Sequence, residues 1–427
     1  MSLKKEDYRE RLIDDKIAKY LKIFGAICIE GPKWCGKTWT SLNHSNSVTY
    51  MTEKSSRELA KVDPKYIFTE ERPQLIDEWQ LVPSIWDSVR NECDMDHNKG
   101  KFILTGSTSL LKDNEENEVY HTGTGRIASI KMYTMSLFES GDSTGDVSIT
   151  DIVNNSVKEK HLKKTELPYL AKLIIRGGFP ENISVQDEDI GIIPHSYLES
   201  IIDKDIHERK DKKRDSNKMR MLIRSLARNE SSTASINTII KDISDNSDID
   251  GKIENRITVS DYLGVLQDLY LLNNIEAFST NYRSSKRVGK TSKRHFIDPS
   301  LACASLDLSV DKLMRDLNTF GLMFESLVIR DLTIYMNYLD GRVFHFRDNS
   351  SGDEVDAILE FKDGSYGAVE IKLTEEGIES AKASLVKFYN NVEKKPLFMC
   401  IIVGHYEAII KDPKTGIYIL PITALKA

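Results

Sequence analysis

The feature that most constrains this chain is a glycine-rich segment, Gly31 to Thr38, which reads Gly-Pro-Lys-Trp-Cys-Gly-Lys-Thr. A short apolar run, Ala26 to Ile29, precedes it, and a helical pattern begins near Lys37. In this context, the spacing of two glycines, a lysine and a hydroxyl residue is typical of a loop that wraps backbone N–H groups around phosphates. A chance glycine-rich turn is the alternative, and the flanking strand and helix argue against it.

The positions of this phosphate loop have expected roles in binding ATP with Mg²⁺. Gly36 lets backbone N–H groups point inward, Lys37 should reach the β- and γ-phosphates, and the Thr38 hydroxyl should ligate Mg²⁺. The expected nucleotide-binding residues are Gly31, Pro32, Lys33, Trp34, Cys35, Gly36, Lys37 and Thr38. Cys35 has two interpretations: a small filler, or a thiolate at a helix N-terminus that makes nucleotide binding sensitive to thiol reagents.

A phosphate loop also needs an acid that holds the metal and orients water. Asp77 and Glu78 stand at the end of the short run Gln74 to Asp77. We expect Asp77 to hold the Mg²⁺ water shell and Glu78 to polarise the attacking water. The alternative is an acidic pair on an exposed strand end.

Two further residues are candidates for the catalytic site. Thr105 ends the next apolar run and is expected to sense the γ-phosphate, unless Thr105 and Gly106 form only a turn. Arg126 is a candidate arginine finger or sensor, acting in cis or in trans. Its alternative is an exposed ion pair, because most single arginines have that role.

Apolar runs alternate with helical or polar segments over the first third of the chain. Strands are expected at residues 26–29, 74–77, 102–105 and 127–133. Strands that alternate with helices predict an α/β fold with a parallel sheet. The domains expected from these patterns are an ATP-binding domain at 1–165, a helical and winged-helix-like region at 166–300, and a second α/β domain at 301–427.

Length and composition limit the class of protein. The 427 residues contain no apolar stretch near the ~18 that a membrane span needs, and the charged N-terminus is unlike a secretory signal. A cytoplasmic protein without a membrane partner is expected. The five cysteines are not at metal-ligand spacing and predict free thiols. A net charge of −7 argues against indiscriminate polyanion binding but allows a local basic face, and oligomerisation is compatible with these features.

One segment, residues 281–297, has six Lys or Arg residues and no acid. A turn at Gly289 would make it a hairpin after two helices, which is the element order of a winged helix. Basic wings contact DNA phosphates, whereas a bland exposed loop and an internal packing module are the alternatives. The candidate DNA contacts are Arg283, Lys286, Arg287, Lys290, Lys293 and Arg294.

An acidic constellation occurs near the C-terminus. Asp356 stands on one expected strand, and Glu370 and Lys372 share a face of the next because strand side chains alternate. The two carboxylates and the Ile371 backbone carbonyl are candidates to hold Mg²⁺. Lys372 is a candidate to orient or deprotonate water, and Glu325 on the preceding helix to complete the acidic set. The alternative is an ordinary half-exposed strand.

These segments together resemble a family of prokaryotic AAA+-superfamily ATPases whose C-terminal domain is similar to PD-(D/E)xK nucleases. The resemblance covers nearly the whole chain. It rests on residues 31–38, 75–80, 104–107, 125–126, 137–139, 177–180, 197–199, 204–206, 296–299, 354–356 and 370–372.

The resemblance implies an AAA+-type parallel sheet, then a helical and winged-helix region, then a nuclease-like α/β domain. The expected function is ATP binding and hydrolysis, on or near DNA. The alternative is a nucleotide-dependent switch or binding protein whose C-terminal domain is catalytically inactive.

Overall fold

The computed structural model describes residues 3–95, 98–107, 123–205, 214–244, 256–279, 291–348 and 352–427. The chain divides into two compact units: residues 1–135 with 268–270, and residues 136–267 with 271–427. The predicted domain boundaries after residues 165 and 300 both fall within the second unit.

The first unit is built on a parallel sheet of five strands in the order β2-β3-β4-β1-β5. The strands are β1 (Ala26–Glu30), β2 (Ser47–Tyr50), β3 (Gln74–Asp77), β4 (Phe102–Gly106) and β5 (Ile127–Lys131). The α/β prediction is confirmed, and four of these strands lie where the apolar runs predicted them. The edge strand β2 was missed because none of its four side chains is fully buried, so it lacks an apolar run.

Helices cover both faces of this sheet. Their bounds are Ile13–Leu21, Lys37–Asn43, Lys54–Val62 and Ser84–Met95, with 3₁₀ turns at Pro64–Ile67 and Trp79–Leu81. Alternate residues of β1 enter different cores: Ile27 packs in the same cluster as Ile17, and Cys28 in the same cluster as Trp86. This two-sided burial explains why the strands read as short continuous apolar runs.

The second unit contains a mixed sheet of seven strands, in the order β10-β11-β12-β13-β15-β14-β7. Its strands are β7 (Lys160–His161), β10 (Arg342–Asp348), β11 (Asp353–Glu360), β12 (Tyr366–Thr374), β13 (Phe398–His405), β14 (Ala408–Lys411) and β15 (Tyr418–Pro421). Strands β10 to β12 are antiparallel neighbours, whereas β12, β13 and β15 run parallel. Two small pairs complete the unit: β6 (Val147–Ser148) with β16 (Leu425–Lys426), and β8 (Leu272–Ile275) with β9 (Lys293–Phe296).

Among its described residues, the second unit has α-helices at Leu137–Ser140, Ile149–Val153, Leu167–Arg176, Ile192–Ser200, Ser216–Arg228, Ile236–Ser244, Arg256–Asp268, Pro299–Ser305, Val310–Arg315, Leu317–Tyr338 and Ile378–Asn391. A π-helical turn, Ile201–Asp205, follows the fourth of these. The antiparallel pair β8–β9 comes after two helices, which is the predicted element order, but β8 lies before the segment 281–297 in which the hairpin was expected. The expected turn at Gly289 lies outside the described residues. The identity of this region as a winged helix stays a prediction.

A buried arginine joins three of the sequence motifs of the second unit. The Arg330 guanidinium donates to Asp298 (3.1 Å) and to Asp331 (2.7 Å). Asp298 also accepts from the backbone N–H of Gly178, and Asp331 accepts from that of Leu137, each at 2.9 Å. The motifs around residues 137, 178 and 298 are therefore held together by one cation, and their role here is structural.

We expect Arg330→Ala to destabilise the second unit by about 3–5 kcal/mol, because Asp298 and Asp331 would stay buried without their cation. Both carboxylates are fully buried. Urea unfolding of the full chain measures this loss as a lower transition midpoint.

Arg342→Ala is the matched control. Arg342 pairs with Glu276 at 2.9 Å, and both side chains are more than half exposed. Exposed pairs contribute about 0–1 kcal/mol, so the midpoint of this variant should barely move. Equal shifts in the two variants would contradict the structural role of Arg330.

Candidate functional site

The phosphate loop begins where β1 ends. Strand β1 lies between β4 and β5, and all three run parallel. After β1 the chain crosses to β2 at one edge of the sheet and returns through β3 and β4, whereas β5 lies on the other side of β1. The direction in which strands are added therefore changes beside β1. Ligands of open α/β sheets bind at such a point, outside the carboxyl ends of the strands.

Backbone geometry shapes the loop for close approach by a ligand. Gly36, which caps the helix Lys37–Asn43, has φ 99°, a conformation that side chains rarely adopt. A Cβ on Gly31 would lie 2.2 Å from the Met132 carbonyl oxygen, so only glycine fits there. Trp34 at the loop apex also has a positive φ (63°), and its side chain is half exposed.

The Lys37 side chain is buried and lies inside the loop. Its ammonium donates to the carbonyl oxygens of Gly31 (3.0 Å) and Pro32 (2.8 Å). These contacts keep the cation at the centre of the loop. A phosphate at this position would meet Lys37 and the N-terminal N–H groups of the helix together.

Asp77 joins the phosphate-loop helix to the central strands. Its Oδ1 accepts from the Thr38 hydroxyl (2.9 Å) and from the Thr105 hydroxyl (2.7 Å). Burial raises the pKa of Asp77 above its usual range, and the two hydroxyls oppose this shift only in part. A cation at this position would remove the cost of the buried charge, so the site suits Mg²⁺.

Glu78 is held in a strained backbone conformation, with φ 57° and ψ 46°. Its backbone N–H donates to the Thr105 hydroxyl at 3.2 Å. The Ser107 hydroxyl donates to its carboxylate at 2.8 Å, and the Gln80 amide donates to the same oxygen. Ser107 and Gln80 were not expected as site residues, because only the folded strand ends bring them to Glu78.

The Thr105 hydroxyl, which is fully buried, contacts both members of the acidic pair. This geometry makes it a positioning group for Asp77 and Glu78. Its expected contact with the γ-phosphate stays a prediction.

Arg126 lies at the wrong end of the sheet for a contact with its own nucleotide. Its carbonyl accepts from the Ala26 backbone N–H, and Ala26 starts β1, whereas the phosphate loop follows the end of β1. At about 3.3 Å per residue, the two ends of β1 are about 13 Å apart. The Arg126 side chain pairs with Asp94 at 2.7 Å. The in-cis role is therefore corrected, and a role in trans stays a prediction.

Cys35 is fully buried in the core cluster that contains Ile13 and Ile29. A reagent in solvent does not reach a thiol in this position, so the filler interpretation replaces the thiol-sensitive one. Its carbonyl oxygen accepts from buried Arg11 at 2.8 Å, and the same guanidinium donates to the Tyr133 carbonyl at 2.9 Å. Arg11 was missed because nothing in the charged N-terminal sequence distinguishes it from a surface arginine.

The acidic residues of the second unit do come together. Asp356 lies on β11, Glu370 on β12 and Glu325 on the helix Leu317–Tyr338. The Ile371 backbone N–H donates to Asp356 at 2.8 Å, and the Ser384 hydroxyl donates to Glu370 at 3.0 Å. Burial raises the pKa of both Glu325 and Glu370 to about 7.

Two lysines compensate these carboxylates. The Lys372 ammonium lies 2.8 Å from Glu370 and 3.6 Å from Asp356, and that of Lys293 lies 2.5 Å from Glu325 and 4.0 Å from Asp356. Burial alone would lower the pKa of each lysine. The neighbouring carboxylates have the larger effect, so the pKa of each lysine is raised.

The cluster is neutralised by the two lysines. Within the described part of the chain, no three His, Cys, Asp or Glu side chains are placed to hold a metal ion. The ammonium groups of Lys293 and Lys372 instead contact oxygens of the carboxylates. The arrangement of Asp356, Glu370 and Glu325 is therefore a lysine-neutralised acidic cluster, and the Mg²⁺ site expected there stays a prediction.

The predicted DNA contacts have different outcomes. Arg283, Lys286, Arg287 and Lys290 lie outside the described residues. Lys293 is buried in the acidic cluster, which corrects its expected position on an exposed wing. Arg294 is half-buried and donates to the Ala234 carbonyl, so its guanidinium supports a loop.

Comparisons with known proteins agree with part of this picture. Residues 24–140 match the family model of an AAA domain. Residues 167–312 and 320–425 match two domains of unknown function, DUF8612 and DUF4143. A comparison with curated proteins finds no match.

In the described segments, no helix has the length and apolar character to cross a membrane.

Three solved structures show distant likeness. The Walker-type ATPase PABY2304 of Pyrococcus abyssi is 13% identical with a TM-score of 0.37, over 71% of this chain and 98% of that one. The Aeropyrum pernix ORC2 protein, in ADPNP-ADP complexes, is 10% identical (TM-score 0.31; 75% and 97%). The Bacillus subtilis DNA clamp loader delta protein YqeN is 12% identical (TM-score 0.21; 74% and 94%). These scores are too low to establish a shared overall fold.

The match over residues 24–140 covers the five-stranded parallel sheet, the phosphate loop and the acidic pair. Sequence match and geometry thus agree on the same segment. Residues 24–140 are therefore similar to an AAA domain, and within them lie the phosphate loop and the acidic pair.

Proposed function

We propose that this chain binds ATP with Mg²⁺ and hydrolyses it, and that its second unit acts on or near DNA. The observation that carries the ATPase proposal is the Asp77 carboxylate, which accepts from Thr38 of the phosphate-loop helix and from Thr105 of β4. These bonds bring a cation, a metal-ligating hydroxyl and an acidic pair to one edge of the sheet.

Nucleotide binding would redirect the Lys37 ammonium. It now donates to two loop carbonyls, and phosphate oxygens are stronger acceptors because they are charged. The Thr38 hydroxyl and the Asp77 carboxylate, 2.9 Å apart, offer the hard oxygen donors that Mg²⁺ prefers, directly or through water. When bound, Mg²⁺ neutralises charge on the phosphate oxygens.

Glu78 is the candidate base. It follows Asp77 directly in the chain. Its strained backbone turns its carboxylate toward the Ser107 hydroxyl rather than toward the two threonine hydroxyls that donate to Asp77. A general base must lie within hydrogen-bond reach of the attacking water. Exchange of the Ser107 and Gln80 bonds for a water would place Glu78 in that role.

A second candidate function is a nucleotide-dependent switch or binding protein that turns ATP over only negligibly. The neutralised acidic cluster supports it, since Lys293 and Lys372 already balance the carboxylates that a catalytic metal would need in the C-terminal domain. The rate of ATP turnover separates the two candidates, because a switch would bind ATP and retain it intact.

The DNA proposal is supported by the β8–β9 pair after two helices and by the basic composition of residues 281–290. Basic wings bind phosphates without reading bases. An increase of ATP turnover on addition of DNA would connect the two units functionally.

Lys37→Ala should abolish ATP binding, because the loop loses the cation at its centre. Isothermal titration calorimetry with ATP and Mg²⁺ measures this loss. Lys61→Ala is the matched control, since Lys61 is exposed and pairs with the equally exposed Glu58 at 3.2 Å. Unchanged ATP affinity in Lys37→Ala would contradict the site.

Glu78→Gln should retain ATP affinity and lower the hydrolysis rate by about 10²–10⁴-fold, the usual contribution of a positioned general base. Phosphate release at saturating ATP reports the rate. Glu58→Gln, an exposed change in the same unit, should keep the wild-type rate. Full turnover in Glu78→Gln would mean that another group activates water.

Replacing Lys286, Arg287 and Lys290 with Gln should weaken DNA binding and flatten its salt dependence. The slope of log K against log salt should fall by about 0.9 for each lost duplex phosphate contact. Lys312→Gln is an exposed control whose ammonium donates to the Asp307 carbonyl at 2.7 Å. A slope equal to that of wild type would remove these residues from the DNA surface.

A further inference from the structure

A polar cavity of about 450 Å³ lies within the second unit, beside the acidic cluster. Its wall is the loop 229–235, the start of the helix Ile236–Ser244, and residues of β9, β10 and β11. None of its lining residues belongs to the proposed ATP-binding site. The two families that match this part of the chain are domains of unknown function.

The lining of the cavity is rich in hydrogen-bond donors and cations. Hydroxyl groups come from Ser232, Thr233, Ser235 and Thr238, and positive charge comes from Lys293 and Arg347. Glu354 contributes one carboxylate at the rim. Hydroxyls together with lysine and arginine are the groups that bind phosphate oxygens.

The cavity runs from an exposed rim to a buried floor. Arg347, Ser235 and Thr238 are exposed, whereas Lys293 is only 4% exposed. Its lining has no aromatic and almost no apolar side chain, unlike the mostly hydrophobic pockets that enclose small molecules. An anionic group carried on a longer polymer fits this shape better than an enclosed metabolite.

The loop of the cavity is held by strand β9. The Arg294 backbone N–H donates to the Ser232 carbonyl at 3.1 Å, and its guanidinium donates to the Ala234 carbonyl. Arg347 donates to the Thr233 hydroxyl at 3.5 Å, so the rim cation is already directed at the loop. The donors are therefore positioned before any ligand binds, which lowers the entropic cost of binding.

Lys293 connects the cavity to the acidic cluster. It lines the cavity and lies 2.5 Å from Glu325. Glu354 and Asp356 share a face of β11, about 7 Å apart along the strand. A polymer held in the cavity would therefore pass next to Glu325 and Asp356.

We propose that this cavity binds a backbone phosphate of a polynucleotide, with Arg347 at the rim as the cation and the hydroxyls of the loop 229–235 as further donors. The inference rests on the proposed DNA role of the second unit and does not depend on ATP hydrolysis. It names contact residues other than those at 281–290.

The test is binding of a fluorescently labelled oligothymidylate to the full-length chain, measured by anisotropy over a range of salt concentrations. Arg347→Ala should weaken binding about tenfold, the usual loss for one charge-assisted hydrogen bond. The slope of log K against log salt should become shallower by about 0.7, the value for one single-strand phosphate contact.

Arg342→Ala is the matched control. Arg342 lies on the same strand, β10, is exposed, and pairs with Glu276 outside the cavity. It should keep both affinity and slope. Arg347→Lys should keep most of the slope, because it retains the charge, and thereby separates a lost contact from a folding defect.

Equal effects of Arg347→Ala and Arg342→Ala would overturn the inference. Displacement of the oligonucleotide from wild type, but not from Arg347→Ala, by inorganic phosphate would support it. Phosphate binding that depends on Arg347, with oligonucleotide affinity unchanged in Arg347→Ala, would overturn it in favour of a free phosphate ligand.

The proposed function fails in a distinguishable way. A wild-type chain that binds no oligonucleotide contradicts both the DNA role and this inference. A wild-type chain that binds the oligonucleotide through Arg347 but releases no phosphate from ATP contradicts only the ATPase proposal.

Discussion

One carboxylate oxygen, Oδ1 of Asp77, determines how the nucleotide site is assembled. It accepts from Thr38 at the start of the phosphate-loop helix and from Thr105 at the end of β4. Because β3, β4 and β1 are parallel and adjacent in that order, their carboxyl ends lie along one edge. Burial penalises the Asp77 charge, and the two hydroxyls offset this penalty only in part, so the site favours a cation.

In the second unit, lysine side chains rather than hydroxyl groups compensate the buried carboxylates. Its carboxylates at positions 325, 356 and 370 are balanced by Lys293 and Lys372. Lys293 lies on β9, so its ion pairs with Glu325 and Asp356 tie this strand to the helix Leu317–Tyr338 and to β11. Removal of either charge would leave its partner buried, which makes the pair a strong constraint on how these elements pack.

Much of the first unit could be predicted from sequence. The glycine-rich loop has a fixed spacing, and buried parallel strands read as apolar runs, so both are local signals. Arg126 shows the limit of such signals. The sequence places it next to a strand, but it lies at the end of the sheet opposite the phosphate loop. Its distance from the loop depends on the direction and order of the strands, which no local sequence pattern encodes.

The second unit shows the same limit more strongly. The basic run 281–297 gave no sign that Lys293 turns inward, because its partner Glu325 lies on a helix far along the chain. Likewise, the motifs that contain Gly178 and Asp298 are separate in sequence, and Arg330 belongs to neither; only the fold shows that the three residues meet. The cavity beside Lys293 is assembled from five segments and has no signature in any one of them.

The central claim is that the site couples a metal to phosphate transfer. The most direct test is a single-turnover experiment, in which excess chain is mixed with radiolabelled ATP and phosphate release is followed with Mg²⁺ and with EDTA. The account predicts that ATP is converted to ADP and phosphate with Mg²⁺ and stays intact in EDTA. ATP that is bound with Mg²⁺ yet recovered intact after long incubation would contradict it.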